Sequence, residues 1–141
     1  MVQGVGAIPV TGVNELVLEA LDLAAAEQFY AGVLGFPVIS RSDDRVWVMA
    51  GDRTRIGLWT PQVGIAQGRG GVHVHYAMHI AEAEFDAALE RLRGHGYEPE
   101  LVEFEETTSR AAYLTDPDGN VVELWTYDVA KHLAQPEDGR R

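Results

Sequence analysis

Along "NELVLEA" (14–20) and again along "VHVHYAMHI" (72–80), polar and apolar residues alternate with a period of two, as in a strand with one packed face. Both runs lead into helical spacing. In the first, Leu23, Ala26, Phe29, Tyr30, Val33 and Leu34 recur on one side of a helix that Asp22 can cap. In the second, Phe85, Ala88, Leu89 and Leu92 line one face of a helix over 82–94, which ends near Gly94 or Gly96 where a left-handed residue is cheap for glycine. Three short strands follow each helix: 36–41, 45–50 and 54–60, then 97–104, 110–115 and 120–126. "DPDG" (116–119) joins the last pair as a tight turn, since proline presets the φ that a turn needs.

The two halves repeat each other. "RIGLWTP" (55–61) and "VVELWTY" (121–127) share Leu-Trp-Thr at an offset of 66, while the opening strands correspond at an offset of about 60. This predicts an α+β fold of two tandem βαβββ modules, forming a curved, partly open mixed sheet around a central cleft. The expected division is an N-terminal tail (1–11), a first module (12–63), a glycine-rich connector (64–71), a second module (72–127) and a C-terminal tail (128–141). The connector is not a phosphate loop, because the Lys-Ser/Thr and the strand-to-helix context are missing.

Strand alternation decides where the histidines point. His75 and His79 are four apart, as on a metal-binding helix, but Val72, Val74 and Tyr76 are β-formers and the run is short. On a strand, His73, His75, Ala77 and His79 share one face, and Val74, Tyr76, Met78 and Ile80 the other. The apolar set should meet the helix and leave the histidines on the concave side. Glu15, Val17 and Glu19 share the corresponding face of the first module, and Val121, Glu123 and Trp125 that of the last strand. A carboxylate in mid-strand among apolar neighbours must be paired, metal-bound or open to water, so Glu15 and Glu123 are the informative acids.

Composition narrows the chemistry. At 141 residues, 46% hydrophobic and 23% charged, the chain suits one soluble globular unit. No apolar run has the length of a membrane span and the N-terminus lacks a signal-peptide pattern, so a cytoplasmic location is expected. With no cysteine, any metal must be held by His, carboxylate or carbonyl. The net charge of −11, from 22 acidic and 11 basic residues, argues against nucleic acid and anionic membranes as partners.

The opening strand with "LDLAAAEQFYAGVLGF" (21–36), "HYAMHI" (75–80) leading into a helix, and "YLTDPDGNVVELW" (113–125) resemble the vicinal oxygen chelate superfamily. That group includes glyoxalase I, extradiol dioxygenases and bleomycin resistance proteins. The resemblance implies one divalent metal in a cup between βαβββ modules, where it polarises substrate oxygens. It places the metal ligands at Glu15, His75 and Glu123, and the fourth ligand of glyoxalase I at Gly57, where no side chain can coordinate. A standard four-ligand glyoxalase I is therefore disfavoured. Tyr113 stands ten residues before Glu123, the extradiol spacing, but the histidine expected upstream is absent from "EFEETTSR" (103–110).

Two functions are then expected in competition. The first is an enzyme using a divalent metal (Mn, Fe, Ni or Zn) on a small oxygen-bearing substrate, of lyase, isomerase or dioxygenase type. His73, His79 and Tyr113 are its candidate catalytic residues, and Glu19, Trp47, Trp59 and Trp125 its candidate pocket. The second is a metal-free binding protein of the bleomycin-resistance kind, whose acidic groove sequesters a cationic or aromatic molecule. The resemblance implies a homodimer in either case.

Overall fold

The computed structural model describes residues 13–61 and 74–132. In the first module, β1 (Glu15–Glu19), β2 (Val38–Arg41), β3 (Arg45–Ala50) and β4 (Thr54–Trp59) form a sheet in the order β1-β4-β3-β2. In the second, β5 (His75–His79), β6 (Glu100–Phe104), β7 (Ser109–Thr115) and β8 (Val121–Trp125) repeat that order as β5-β8-β7-β6. Only β1–β4 and β5–β8 pair parallel, so both sheets are mixed, and neither closes on itself. The opening strands β1 and β5 are edge strands of their sheets. The connector over 64–71 lies outside the described residues.

Alternation sorts the side chains as their polarity requires. Leu18 is buried on β1, and Tyr76 and Met78 of β5 pack on the same core, while Glu15, His75 and His79 are exposed. That core draws on both modules: Phe29, Tyr30, Ile56 and Leu58 of the first meet Leu92, Leu114 and Val122 of the second. The helix-bearing sides of the sheets therefore face inward. Helix α2 (Glu82–Gly94) buries Phe85, Leu89 and Leu92, with Glu82 and Glu84 in its first turn and Arg91 and Arg93 in its last, each matched to the helix dipole. The chain turns out of it at Gly96, whose φ of +89° most side chains resist, and Tyr97 N–H returns to the Leu92 carbonyl at 2.9 Å.

The first helix differs from expectation. Asp22 caps α1 (Leu23–Glu27), its carboxylate accepting from Ala25 N–H at 3.1 Å, but α1 then widens into a π-helical turn over Gln28–Val33. Leu34 N–H bonds the Phe29 carbonyl, five residues back, at 2.9 Å. Phe29, Tyr30 and Val33 all remain buried. Over six residues the spacing of apolar positions does not separate the two kinds of helix, so the sequence pattern reads as one. A last short helix, α3 (Val129–His132), begins in the segment expected as a tail.

The "DPDG" turn does more than reverse the chain. Asp116, 6% exposed, accepts from Tyr30 Oη (2.8 Å), Asn120 Nδ2 (2.8 Å) and the N–H groups of Asp118 and Asn120 (both 2.9 Å). Tyr76 Oη in turn donates to Tyr30 Oη at 2.8 Å, and Asp118 accepts from Leu21 N–H at 2.9 Å. A buried carboxylate needs such partners to offset its lost hydration. Here they clasp the last hairpin of one module to the first helix of the other.

Candidate functional site

The open face of the second module holds the metal-type residues together. Glu123, 6% exposed, stands in mid-strand on β8 between Ala77 of β5 and Tyr113 of β7. Because Ala77 is small, His75 reaches diagonally past it, and its Nε2 lies 3.0 Å from Glu123 Oε1. The His75 ring meets Tyr113 edge-on, with centroids 5.8 Å apart. Desolvation, the Glu123 charge and a hydrogen bond to Glu123 all push the Tyr113 phenol above its usual range, so it stays protonated beside the carboxylate. A neutral imidazole nitrogen and a carboxylate oxygen, both on rigid strands, are a donor pair suited to a divalent first-row metal.

The equivalent face of the first module is built differently. Glu15 occupies the position of His75, but its carboxylate is held by Arg55 at 2.7 Å. Gly57 occupies the position of Glu123, paired with Val17 on one side and Trp47 on the other. Trp47 and Trp59 meet there edge to face, centroids 6.0 Å apart, with Arg55 over Trp47 and Arg45 over Trp59, each at 3.9 Å. A Cβ on Gly57 would stand 2.7 Å from Trp59 Nε1 and 2.8 Å from Trp47 Cζ3. Glycine is therefore the condition for the two indoles to close over the strand. Enclosed in this packing, Trp59 Nε1 is buried with no hydrogen-bond partner among the described residues.

The structure thus unites some expected residues and separates others. His75, Glu123 and Tyr113 are neighbours, and His79 is exposed on the same face. His73 lies outside the described residues. Glu15 belongs to the first face, and among the described residues no group of three or more His, Asp or Glu is gathered as a metal site. Glu19, Trp47 and Trp59 line the first face, with Glu19 opposite Trp59 in register, whereas Trp125 lies on the second. Trp125 donates to Ser109 Oγ at 3.2 Å and stacks on Tyr127. The Trp set therefore forms two walls on two modules.

Sequence reasoning missed Arg45 and Arg55, although their positions, two residues from Trp47 and Gly57, put them on the same strand face. It read Tyr30 only as a core residue.

Two open, mixed βαβββ sheets with a His–Glu pair on one of them define a scaffold of the vicinal oxygen chelate type. The chain belongs to the Glyoxalase/Bleomycin resistance protein/Dioxygenase superfamily, whose profile matches residues 12–124. Among solved structures, it is similar to lactoylglutathione lyase from Agrobacterium tumefaciens, at 26% identity and a TM-score of 0.73, over 83% of this chain and 94% of that one. A glyoxalase/bleomycin resistance protein/dioxygenase from Nocardioides has 23% identity and a TM-score of 0.68, over 97% of this chain and 93% of that one. The oxidase ChaP-H2 has 22% identity and a TM-score of 0.65, over 85% and 96%. No curated protein sequence matches the chain. No described helix is long and apolar enough to cross a membrane.

Proposed function

We propose that the protein is a divalent-metal-dependent enzyme acting on a small oxygen-bearing substrate, working as a homodimer. The observation that carries this reading is the buried Glu123 carboxylate held 3.0 Å from His75 Nε2 on an otherwise apolar strand. His75 and Glu123 would hold the metal, with Glu15 of a second copy as the third ligand. The module cores bury the opposite sides of the sheets, so both candidate faces are open among the described residues, and β1 and β5 are the edge strands of their sheets there. When bound, the metal acts as a Lewis acid on substrate oxygens. Tyr113, kept protonated, orients Glu123 and offers a phenolic hydrogen-bond donor beside it. His79, exposed on the same face, is placed to take or give a proton. The Trp47–Trp59 face, with Arg55 and Arg45 over its indoles, would form the facing wall against a substrate's carbon skeleton.

One observation favours a second reading. Gly57 and the indoles above it remove a ligand from the first module, and Arg55 already engages Glu15. A metal-free binder would use the same Trp wall, with Glu19 and Glu123, to hold a cationic or aromatic molecule.

Metal analysis of protein purified without an affinity tag separates the two. The enzyme reading expects about one equivalent of Mn, Fe, Ni or Zn per chain, lost in His75→Ala and in Glu123→Ala. Protein that takes up none, even when each metal is offered, leaves the binder.

A further inference from the structure

On the inward side of the sheets, away from the His75–Glu123 pair, the modules do not pack completely. A half-open cavity of about 640 Å³ remains between them, walled by Leu16, Ile56, Met78, Ile80 and Leu124. Close-packed interiors rarely keep apolar voids much larger than a water molecule, and a void of this size forfeits the contacts its lining would otherwise make. Its volume falls in the range of small-molecule sites, about 300–1,000 Å³.

The charges on the wall specify the occupant. The chain has 22 acidic and 11 basic residues, yet among the described residues none of the acids lines this cavity, while Arg91 and, at the end of β5, His79 do. Arg91 sits in the last turn of α2 and donates through Nε to the Val33 carbonyl at 2.7 Å and through Nη2 to the Gly32 carbonyl at 3.1 Å. Those bonds fix the guanidinium at the rim. Among the described residues it forms no ion pair, and most of its five N–H donors are not taken up by these two contacts.

We propose that this inter-module cavity, whose lining includes neither His75 nor Glu123, is a second small-molecule site for an apolar acid: a hydrocarbon or aromatic body in the cavity with one carboxylate on Arg91. The apolar wall supplies affinity through burial, and the guanidinium selects the charged head group.

Titration calorimetry of the full-length protein with decanoate and with decanol tests this directly. The expected result is saturable binding of one decanoate per chain, with decanol at least fivefold weaker. Arg91→Gln, which keeps an amide N–H for the Val33 carbonyl, should bring the two ligands to within twofold of each other. Ala88→Trp, which puts an indole into the cavity from α2, should weaken both at least tenfold. Any one of three results overturns the proposal: no saturable binding, equal binding of acid and alcohol by the unaltered protein, or binding untouched by Ala88→Trp. Decanoate affinity that falls as protein concentration rises also overturns it, because the groove is then an interface between copies.

Discussion

The two modules share one scaffold and carry opposite chemistry on it. Strand order and register coincide, so Glu15 matches His75, Gly57 matches Glu123, Trp47 matches Tyr113 and Trp59 matches Trp125. On the second face, the mid-strand acid reaches a histidine and a phenol. On the first, the absent side chain at Gly57 lets two indoles close over the strand, each capped by an arginine. The two tryptophans at corresponding positions differ in the same way. Trp125 Nε1–H finds Ser109, whereas Trp59 Nε1–H is buried without a partner among the described residues. A repeated fold thus fixes where side chains stand, and single substitutions at matched positions decide whether a face binds or packs.

The largest test of that comparison lies where the modules join. Asp116→Ala would leave Tyr30, Asn120 and two backbone N–H groups without their acceptor, and chemical denaturation should show a loss of about 3 kcal/mol or more. A loss within the range of an exposed substitution would mean that the apolar core alone couples the modules.

Next in size is Gly57→Glu, which restores a carboxylate at the position matching Glu123. Steric conflict with Trp47 and Trp59 should cost about 1–3 kcal/mol, shift tryptophan emission to the red and add no metal affinity. Tighter metal binding with unchanged stability would make the two faces chemically equivalent after all.

A third test uses alkaline pH. Burial, reinforced by neighbouring Tyr76 and Asp116, pushes the Tyr30 phenol far above its ordinary value, and burial does the same to Tyr76. Their folded pKa values are raised, so the unfolded chain loses these protons first, near pH 10. The stability they contribute is complete below about pH 10 and declines above it, by up to about 1.4 kcal/mol per pH unit for each group. Stability measured from pH 9 to pH 11.5 should fall less steeply in Tyr30→Phe than in the unaltered protein. Tyr113→Phe, on the open face, should change that slope least.

Smallest is the arginine cap. Arg45→Ala should cost about 0.5–1 kcal/mol, the worth of a partly exposed cation–π contact, and redden the emission of Trp59. Removing the corresponding residue of the second module, Ala111, has no counterpart, since it carries no cap.

Much of this was legible from residue order. The period of two placed His75, Ala77 and His79 on the open face and Tyr76 and Met78 in the core, because a strand has no other way to arrange them. The Leu-Trp-Thr repeat fixed the correspondence of the modules, and with it the pairing of Gly57 with Glu123. The π-helical turn was not legible, because its apolar spacing over six residues matches that of an α-helix.

Local pattern by itself therefore determined the strands and α2, their faces and the two candidate acids. Only tertiary structure decided that Glu123 meets His75 and Tyr113, that Arg55 holds Glu15, and that Asp116 clasps Tyr30 from 86 positions away. The physical reason is range. Alternation and capping act between neighbours in sequence, whereas the partner of a buried charge is whichever group the sheet register and the packing of two modules bring within about 3 Å.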